Sequence, residues 1–162
     1  MSDLLTPFAG NLLTTGMGIL PHQEMERALS LAMGVDIPFW PQLPRLNFFE
    51  DMYVQAGENF PGLVLEPENH KIYFRTERFY AELENALMNM ENDDFFRLSP
   101  QYSATYHQFL SFDLSRYPAI RGQLEGPVSF GLNVLDENKK PIIFNDEVRS
   151  LLHTAAARTR VA

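Results

Sequence analysis

The feature that most constrains this chain is the alternation of short β-prone runs with segments that carry apolar residues at helical spacing. The β-prone runs cover residues 11–19, 35–40 and 119–124. After the first run, apolar residues recur three or four positions apart, up to the stop at Gly34: Met25, Ala28, Leu29 and Ala32. Strands that alternate with helices usually pair in parallel. The pattern therefore predicts an α/β fold with about three parallel strands.

A helical and hairpin insertion is predicted between the second and third runs. Residues 48–58 form a predicted helix, and β-prone residues on either side of residues 67–70 predict a hairpin. Thr76 is predicted to cap a long helix that reaches about residue 92. Further helices are predicted after Ser99-Pro100, after Gly126-Pro127, and after a cap at Asn145 or Asp146.

Length and charge limit the classes of function. The 162 residues suit a single domain over residues 1–162, with loose ends at 1–11 and 158–162. The formal net charge of -8 argues against nucleic acid and against an anionic membrane surface as partners. No apolar run approaches the roughly 20 residues of a membrane span, and the acidic N-terminus does not resemble a signal peptide. The expected location is the cytoplasm.

Three segments are predicted to lie at the carboxyl ends of the parallel strands, where β/α folds bind ligands. They cover residues 16–22, 39–45 and 123–129, and in each a Gly or Pro stands beside polar side chains. The candidate substrate-binding residues are Gly18, His22, Trp40, Gln42, Gln123, Glu125 and Ser129. The alternative is that the three segments are ordinary turns between strands and helices.

Each candidate has a functional and a purely structural interpretation. His22 either caps a helix, donates to a ligand or acts as an acid or base, while Trp40 either stacks on a flat ligand or belongs to the core. Gln42 and Gln123 carry a donor and acceptors, which suit amide-like or pterin-like ligands. Glu125 either contacts a cation or amine, or is a solvated loop acid.

Four stretches resemble, in order, signatures of one superfamily: TTGMGILPH, DIPFWPQLPR, FFEDMYVQAGENFPGLV and AIRGQLEGPVSFGLNVLDE. They are similar to the barrel superfamily that contains cobalamin-independent methionine synthase and uroporphyrinogen decarboxylase. The resemblance covers most of residues 12–150, and the GQxxGPVSFGL pattern is its most specific part.

The resemblance implies the N-terminal half of a (β/α)₈ barrel and methyl transfer to a thiol, or a related reaction on a methyl-carrying or tetrapyrrole ligand. In the methionine synthase branch, zinc held by His, Cys and Glu residues of the C-terminal half activates the thiol. This chain has no cysteine, and a full barrel typically takes about 250 residues. The chain alone is therefore expected to bind no cofactor, and zinc is implied only for the missing half.

Three hypotheses remain open at this point. The chain is a partial methyltransferase completed by a complementary half-barrel subunit, with its catalytic residues still unknown. Alternatively, it is a homodimeric module that binds a corrinoid, pterin or tetrapyrrole without catalysis. In the third hypothesis it is a truncated paralogue without activity, whose exposed sheet edges are covered by oligomerisation.

Overall fold

A computed structural model of the chain describes the backbone of residues 10–158 and the side chains of residues 10–155. The predicted loose ends lie almost entirely outside this range. Within it the chain forms six α-helices and one pair of strands. In chain order these are α1 (Met25–Met33), α2 (Met52–Ala56), β1 (Leu63–Glu66), β2 (Lys71–Phe74), α3 (Thr76–Met88), α4 (Ala104–Leu110), α5 (Pro127–Asn133) and α6 (Asp146–Arg158).

The predicted hairpin is confirmed. β1 pairs with β2 in the antiparallel direction, with Leu63 opposite Phe74 and Glu66 opposite Lys71. A 3₁₀ turn over Pro67–Asn69 reverses the chain, and His70 completes the reversal in the left-handed region at φ 49°. The hairpin lies in the insertion, where it was expected.

The helices begin and end at residues with an identifiable local cause. The predicted helix over residues 48–58 is divided at Asp51, whose side chain accepts a hydrogen bond from the Tyr53 N–H and caps α2. Asn145 Oδ1 accepts from the N–H groups of Glu147 and Val148, so Asn145 caps α6 as predicted. Thr76 is the first residue of α3 rather than its cap, since Arg75 holds the cap position, and α3 ends earlier than predicted, at Met88.

The predicted partial (β/α)₈ barrel is wrong. Among the described residues, the only strands are β1 and β2, and they are antiparallel. The three runs predicted as parallel strands are instead irregular bridge segments, over residues 14–20, 37–42 and 119–124. Single parallel bridges join them, from Ile19 to Gln42 and from Phe39 to Arg121.

The sequence of the middle bridge segment explains why no regular sheet forms there. Pro38 and Pro41 have no amide hydrogen, so this segment cannot donate a continuous series of backbone hydrogen bonds to either neighbour. Trp40 donates its N–H to the carbonyl of Arg121, whereas Gln42 donates to the carbonyl of Gly18. Ile37 also donates to the carbonyl of Thr14, so the segment bonds to both neighbours, but only at separated positions.

Two clusters of buried side chains stabilise this arrangement. The apolar core joins the hairpin, α3, α5 and α6, and consists of Phe60, Leu63, Phe74, Phe79, Phe130, Val134, Ile142, Val148, Leu151 and Leu152. The Trp40 cluster joins α1 and α4 to the middle bridge segment, and consists of Leu29, Trp40, Leu98, Tyr106 and Phe109. None of the helices in the described range combines the length and apolar composition needed to cross a bilayer.

Candidate ligand-binding site

Three of the candidate residues meet where the bridge segments adjoin. The N–H of Gly18 donates to Gln123 Oε1 over 3.2 Å, and the carbonyl of Gly18 accepts from the N–H of Gln42 over 2.6 Å. A Cβ placed on Gly18 would lie 3.5 Å from Gln42 Oε1 and 3.7 Å from Gln123 Oε1. The structure therefore brings both side-chain amide oxygens to the edge of Gly18.

Gly18 is required at this position by a close approach of the backbone. A Cβ there would lie 2.8 Å from the carbonyl oxygen of Trp40, a backbone atom that cannot rotate away. That separation is shorter than van der Waals contact between carbon and oxygen allows. The first two bridge segments can approach this closely only because residue 18 has no side chain.

Gln42 is held by a short series of hydrogen bonds. Its side chain is fully buried, and its Nε2 donates to Gln55 Oε1 over 2.7 Å. Gln55 Nε2 donates in turn to the carbonyl of Tyr102 over 3.1 Å. Since a carbonyl only accepts, Gln55 must present its nitrogen to Tyr102 and its oxygen to Gln42. We call Gly18, Gln42, Gln55 and Gln123 the amide cluster.

This orientation leaves Gln42 Oε1 as a buried acceptor that receives no hydrogen bond from a described residue. Buried side-chain oxygens in proteins nearly always accept a hydrogen bond, and leaving one without a donor costs about 1–3 kcal/mol. The same oxygen lies 3.5 Å from the position of a Cβ at Gly18, beside the carbonyl oxygen of Trp40. Gln42 Oε1 is thus a buried acceptor, held in place by the hydrogen bond of its Nε2 to Gln55, that lacks a donor among the described residues.

Trp40 and His22 contribute two further buried polar atoms that have no hydrogen-bond partner in the described part of the chain. Trp40 is 1% exposed and its ring packs against Tyr106 at 4.9 Å between centroids, so the structure places it in the core rather than on an open face. Its Nε1 donates to no described residue. His22 is half-buried just after the first bridge segment, and its Nδ1 is likewise buried without a partner.

Glu125 and Ser129 lie apart from the amide cluster, and no hydrogen bond among the described residues joins them to it. Ser129 Oγ lies 3.1 Å from Tyr53 Oη, which also accepts from Asn133 Nδ2 over 3.1 Å. Glu125 lines a separate cavity beside Phe60 and Phe130. The third candidate segment therefore divides, with Gln123 facing Gly18 and the next residues facing elsewhere.

Two residues of the site were not singled out from the sequence. Arg121 Nη1 donates to the carbonyl of Gly16 over 2.9 Å, and Gln55 holds Gln42. Arg121 had a usable signal, because residues two apart in an extended chain share a face and Gln123 was already a candidate. Gln55 had none, since a polar residue inside a predicted helix usually lies on its exposed side.

A buried carboxylate, that of Glu50, holds the start of α4 in place beside the site. Glu50 is 2% exposed, and it accepts hydrogen bonds from Ser103 Oγ over 3.2 Å and from the N–H of Thr105 over 2.9 Å. Burial raises the pKa of its carboxyl group, against the opposing effect of these hydrogen bonds. Glu50 thereby fixes the first turn of α4, the helix that places Tyr106 against Trp40.

Metal chemistry is not assigned to these residues. The chain has no cysteine, and within residues 10–158 no group of three or more His, Asp or Glu residues is placed to hold a metal ion. The donor set of the zinc site implied by the resemblance is therefore not found in this part of the chain. Comparison with protein-family models, with characterised proteins and with solved structures gave no match to this chain.

Proposed function

We propose that this chain binds a small polar organic ligand at the amide cluster, with Gln42 Oε1 accepting a hydrogen bond from an N–H or O–H of the ligand. The observation that carries the proposal is the orientation of Gln42, whose Nε2 is occupied by Gln55 while its buried Oε1 has no donor among the described residues. A ligand donor at this position would remove the desolvation cost of that oxygen.

The resemblance supplies the ligand class for this proposal. Gly18, Gln42 and Gln123 all fall within stretches similar to the methionine synthase superfamily. We therefore propose a pterin, corrinoid or tetrapyrrole as ligand, and a role in a cytoplasmic methyltransferase-like reaction. In this reading a second polypeptide or a second copy of the chain supplies the thiol-activating groups.

The chemistry of the amide cluster favours binding over catalysis by these residues themselves. Neither a glutamine amide nor a glycine exchanges a proton near neutral pH, so the cluster has no general acid or base. What it offers is a fixed pattern of hydrogen bonds that orients a ligand. This favours the second candidate function, a binding module without catalysis, as the role of the isolated chain.

The test compares two variants that lose the same internal hydrogen bond. Gln42→Met and Gln55→Met each abolish the bond between the two side chains, but only Gln42→Met removes the Oε1 acceptor. The probes are pterin-6-carboxylate, cyanocobalamin and coproporphyrin, each measured by equilibrium dialysis. For the probe that binds, we expect Gln42→Met to raise Kd about tenfold, the equivalent of one buried hydrogen bond.

Gln55→Met should weaken binding less, because Gln42 retains its oxygen. Thermal unfolding of both variants shows whether they fold alike. Equal losses of affinity in the two variants would contradict the proposed role of Gln42 Oε1. If none of the three probes bound the unmodified chain, the proposed ligand class would be wrong.

A further inference from the structure

Glu125 lines a cavity of about 260 Å³ that is separate from the amide cluster. The cavity lies between the loop that enters α5, the end of α2 and the inner face of α6. Glu125 is the one ionisable residue among the described residues that line it. The cavity therefore combines a single negative charge with a surface that is otherwise apolar.

The apolar surface is aromatic at its base. Phe60 and Phe130 belong to the apolar core, are 7% and 2% exposed, and meet edge to face at 5.9 Å between centroids. Leu152 of α6 completes this wall. Aromatic faces attract ammonium groups as well as hydrocarbon, because the ring carries negative charge above its plane. The wall thus accepts an apolar body and tolerates a nearby cation.

The carboxylate of Glu125 is available to a ligand. It is half-buried and makes no hydrogen bond or ion pair with any residue in the described part of the chain. No atom of the described residues lies within 4 Å of the position of a Cβ at the neighbouring Gly126. The net charge of -8 adds a long-range attraction for cations.

We infer that this cavity is a second small-molecule site, which takes a primary ammonium ion with a compact apolar or aromatic body. The ammonium group pairs with Glu125, and the body packs on Phe60, Phe130 and Leu152. The volume lies just below the roughly 300–1,000 Å³ of drug-sized pockets, so the ligand is about the size of one ring with a short side chain. The inference does not depend on the function proposed for the amide cluster.

The test uses two probes that share a skeleton and differ in charge, 2-phenylethylammonium and 2-phenylethanol. Both are titrated into the ¹⁵N-labelled chain, with the amide signals of Gly126 and Gly131 as reporters. Gly126 lines the cavity, and Gly131 packs against Leu152 from the same helix as Phe130. We expect saturable shifts with the ammonium probe at a Kd about three- to fivefold lower than with the alcohol, as for a partly exposed ion pair.

Two matched variants assign the effect. Glu125→Gln removes the charge at the cavity and should abolish the difference between the probes. Glu84→Gln removes an equal charge from an exposed position on α3 and should preserve it. Ala155→Leu adds a larger side chain to the cavity wall and should weaken both probes.

Equal affinity for the two probes in the unmodified chain would overturn the inference, as would the absence of saturable shifts at both glycines. Persistence of the charge preference in Glu125→Gln would overturn the role of Glu125. Because Gln42→Met alters the amide cluster and not this cavity, failure of the first proposal would leave these expected results unchanged.

Discussion

The two buried regions of this protein differ in what they bury. The apolar core contains hydrocarbon and aromatic side chains alone. The described buried polar side chains lie instead around the bridge segments, α2 and the start of α4, and we call them the polar group: Gln42, Glu50, Gln55, Ser103 and Thr105. Burial of apolar surface stabilises a fold by about 25 cal/mol per Å², whereas an internal hydrogen bond contributes about 1 kcal/mol net.

The difference indicates separate roles for the two regions. From these magnitudes we expect the apolar core to supply most of the stabilisation. The polar group contributes less free energy. It instead fixes the relative positions of distant parts of the chain, because its hydrogen bonds have defined directions. Gln55 and Glu50 together tie α2 and the preceding turn to residues 102–105. We infer that the polar group positions the candidate site, while the apolar core stabilises the molecule.

The largest expected effect tests the apolar core. Phe79 on α3 is fully buried and packs against Phe74 at 5.5 Å between ring centroids. Phe79→Ala should lower the free energy of unfolding by about 3–5 kcal/mol, because it removes a large apolar contact and leaves a cavity. Urea unfolding followed by circular dichroism measures this change.

The control for this variant lies on the same helix. Leu87 is 54% exposed, so Leu87→Ala should change the free energy of unfolding by no more than about 0.5 kcal/mol. A similar loss in the two variants would mean that α3 does not rest on the apolar core as described. The apolar core would then not be the region that contributes most to stability.

A smaller loss of stability is expected where the first two bridge segments meet. Gly18→Ala should lower the free energy of unfolding by about 1–3 kcal/mol, because its Cβ would lie 2.8 Å from the Trp40 carbonyl oxygen. The same variant should abolish ligand binding at the amide cluster, since the added methyl group lies beside Gln42 Oε1. Chemical unfolding and equilibrium dialysis measure the two consequences on one sample.

Gly10→Ala is the matched control, because no atom of residues 11–155 lies within 4 Å of a Cβ at Gly10. We expect it to leave both stability and binding unchanged. If Gly18→Ala lost stability but kept its affinity for the ligand, the site would lie elsewhere. That result would contradict the inference that the polar group positions the ligand-binding site.

The parts of this structure that could be predicted from sequence are those that depend on near neighbours. The apolar spacing of α1 and the turn residues before His70 act within a few positions, and both elements were predicted. The predicted parallel sheet does not form, because parallel pairing depends on hydrogen bonds between distant segments, which Pro38 and Pro41 cannot donate.

The site was predicted in the same partial way. Gly18, Gln42 and Gln123 follow the β-prone runs, and the structure brings them together. That Glu125 would face a different cavity two residues later could not be seen, because a side chain's direction after an extended segment depends on the turn that follows. Gln55 could not be identified from the sequence, because its burial arises from the tertiary contact with Gln42.

The pKa values of two carboxyl groups are shifted in opposite directions, so the stability that each contributes changes with pH in the opposite sense. Burial raises the pKa of Glu50 above its ordinary value of 4.5, so the folded state holds this proton more tightly than the unfolded state. Stability from Glu50 is therefore fully present below about pH 4.5 and is lost as pH rises through the folded pKa. The N–H and hydroxyl of Thr14 instead lower the pKa of the exposed Asp36 below 3.8, so its contribution is lost as pH falls.

The smallest predicted effect follows from these opposite slopes. Glu50→Gln should remove a decline in the free energy of unfolding above about pH 4.5, with a slope of at most about 1.4 kcal/mol per pH unit for one proton. Asp36→Asn should leave that range unchanged and remove a decline below pH 3.8. Urea midpoints at half-unit steps of pH, on both variants and the unmodified chain, separate the two slopes. If Glu50→Gln instead steepened the decline above pH 4.5, the folded state would stabilise the charged form of the carboxylate. The polar group would then contribute to the free energy of unfolding as well as fixing the positions of the segments it joins.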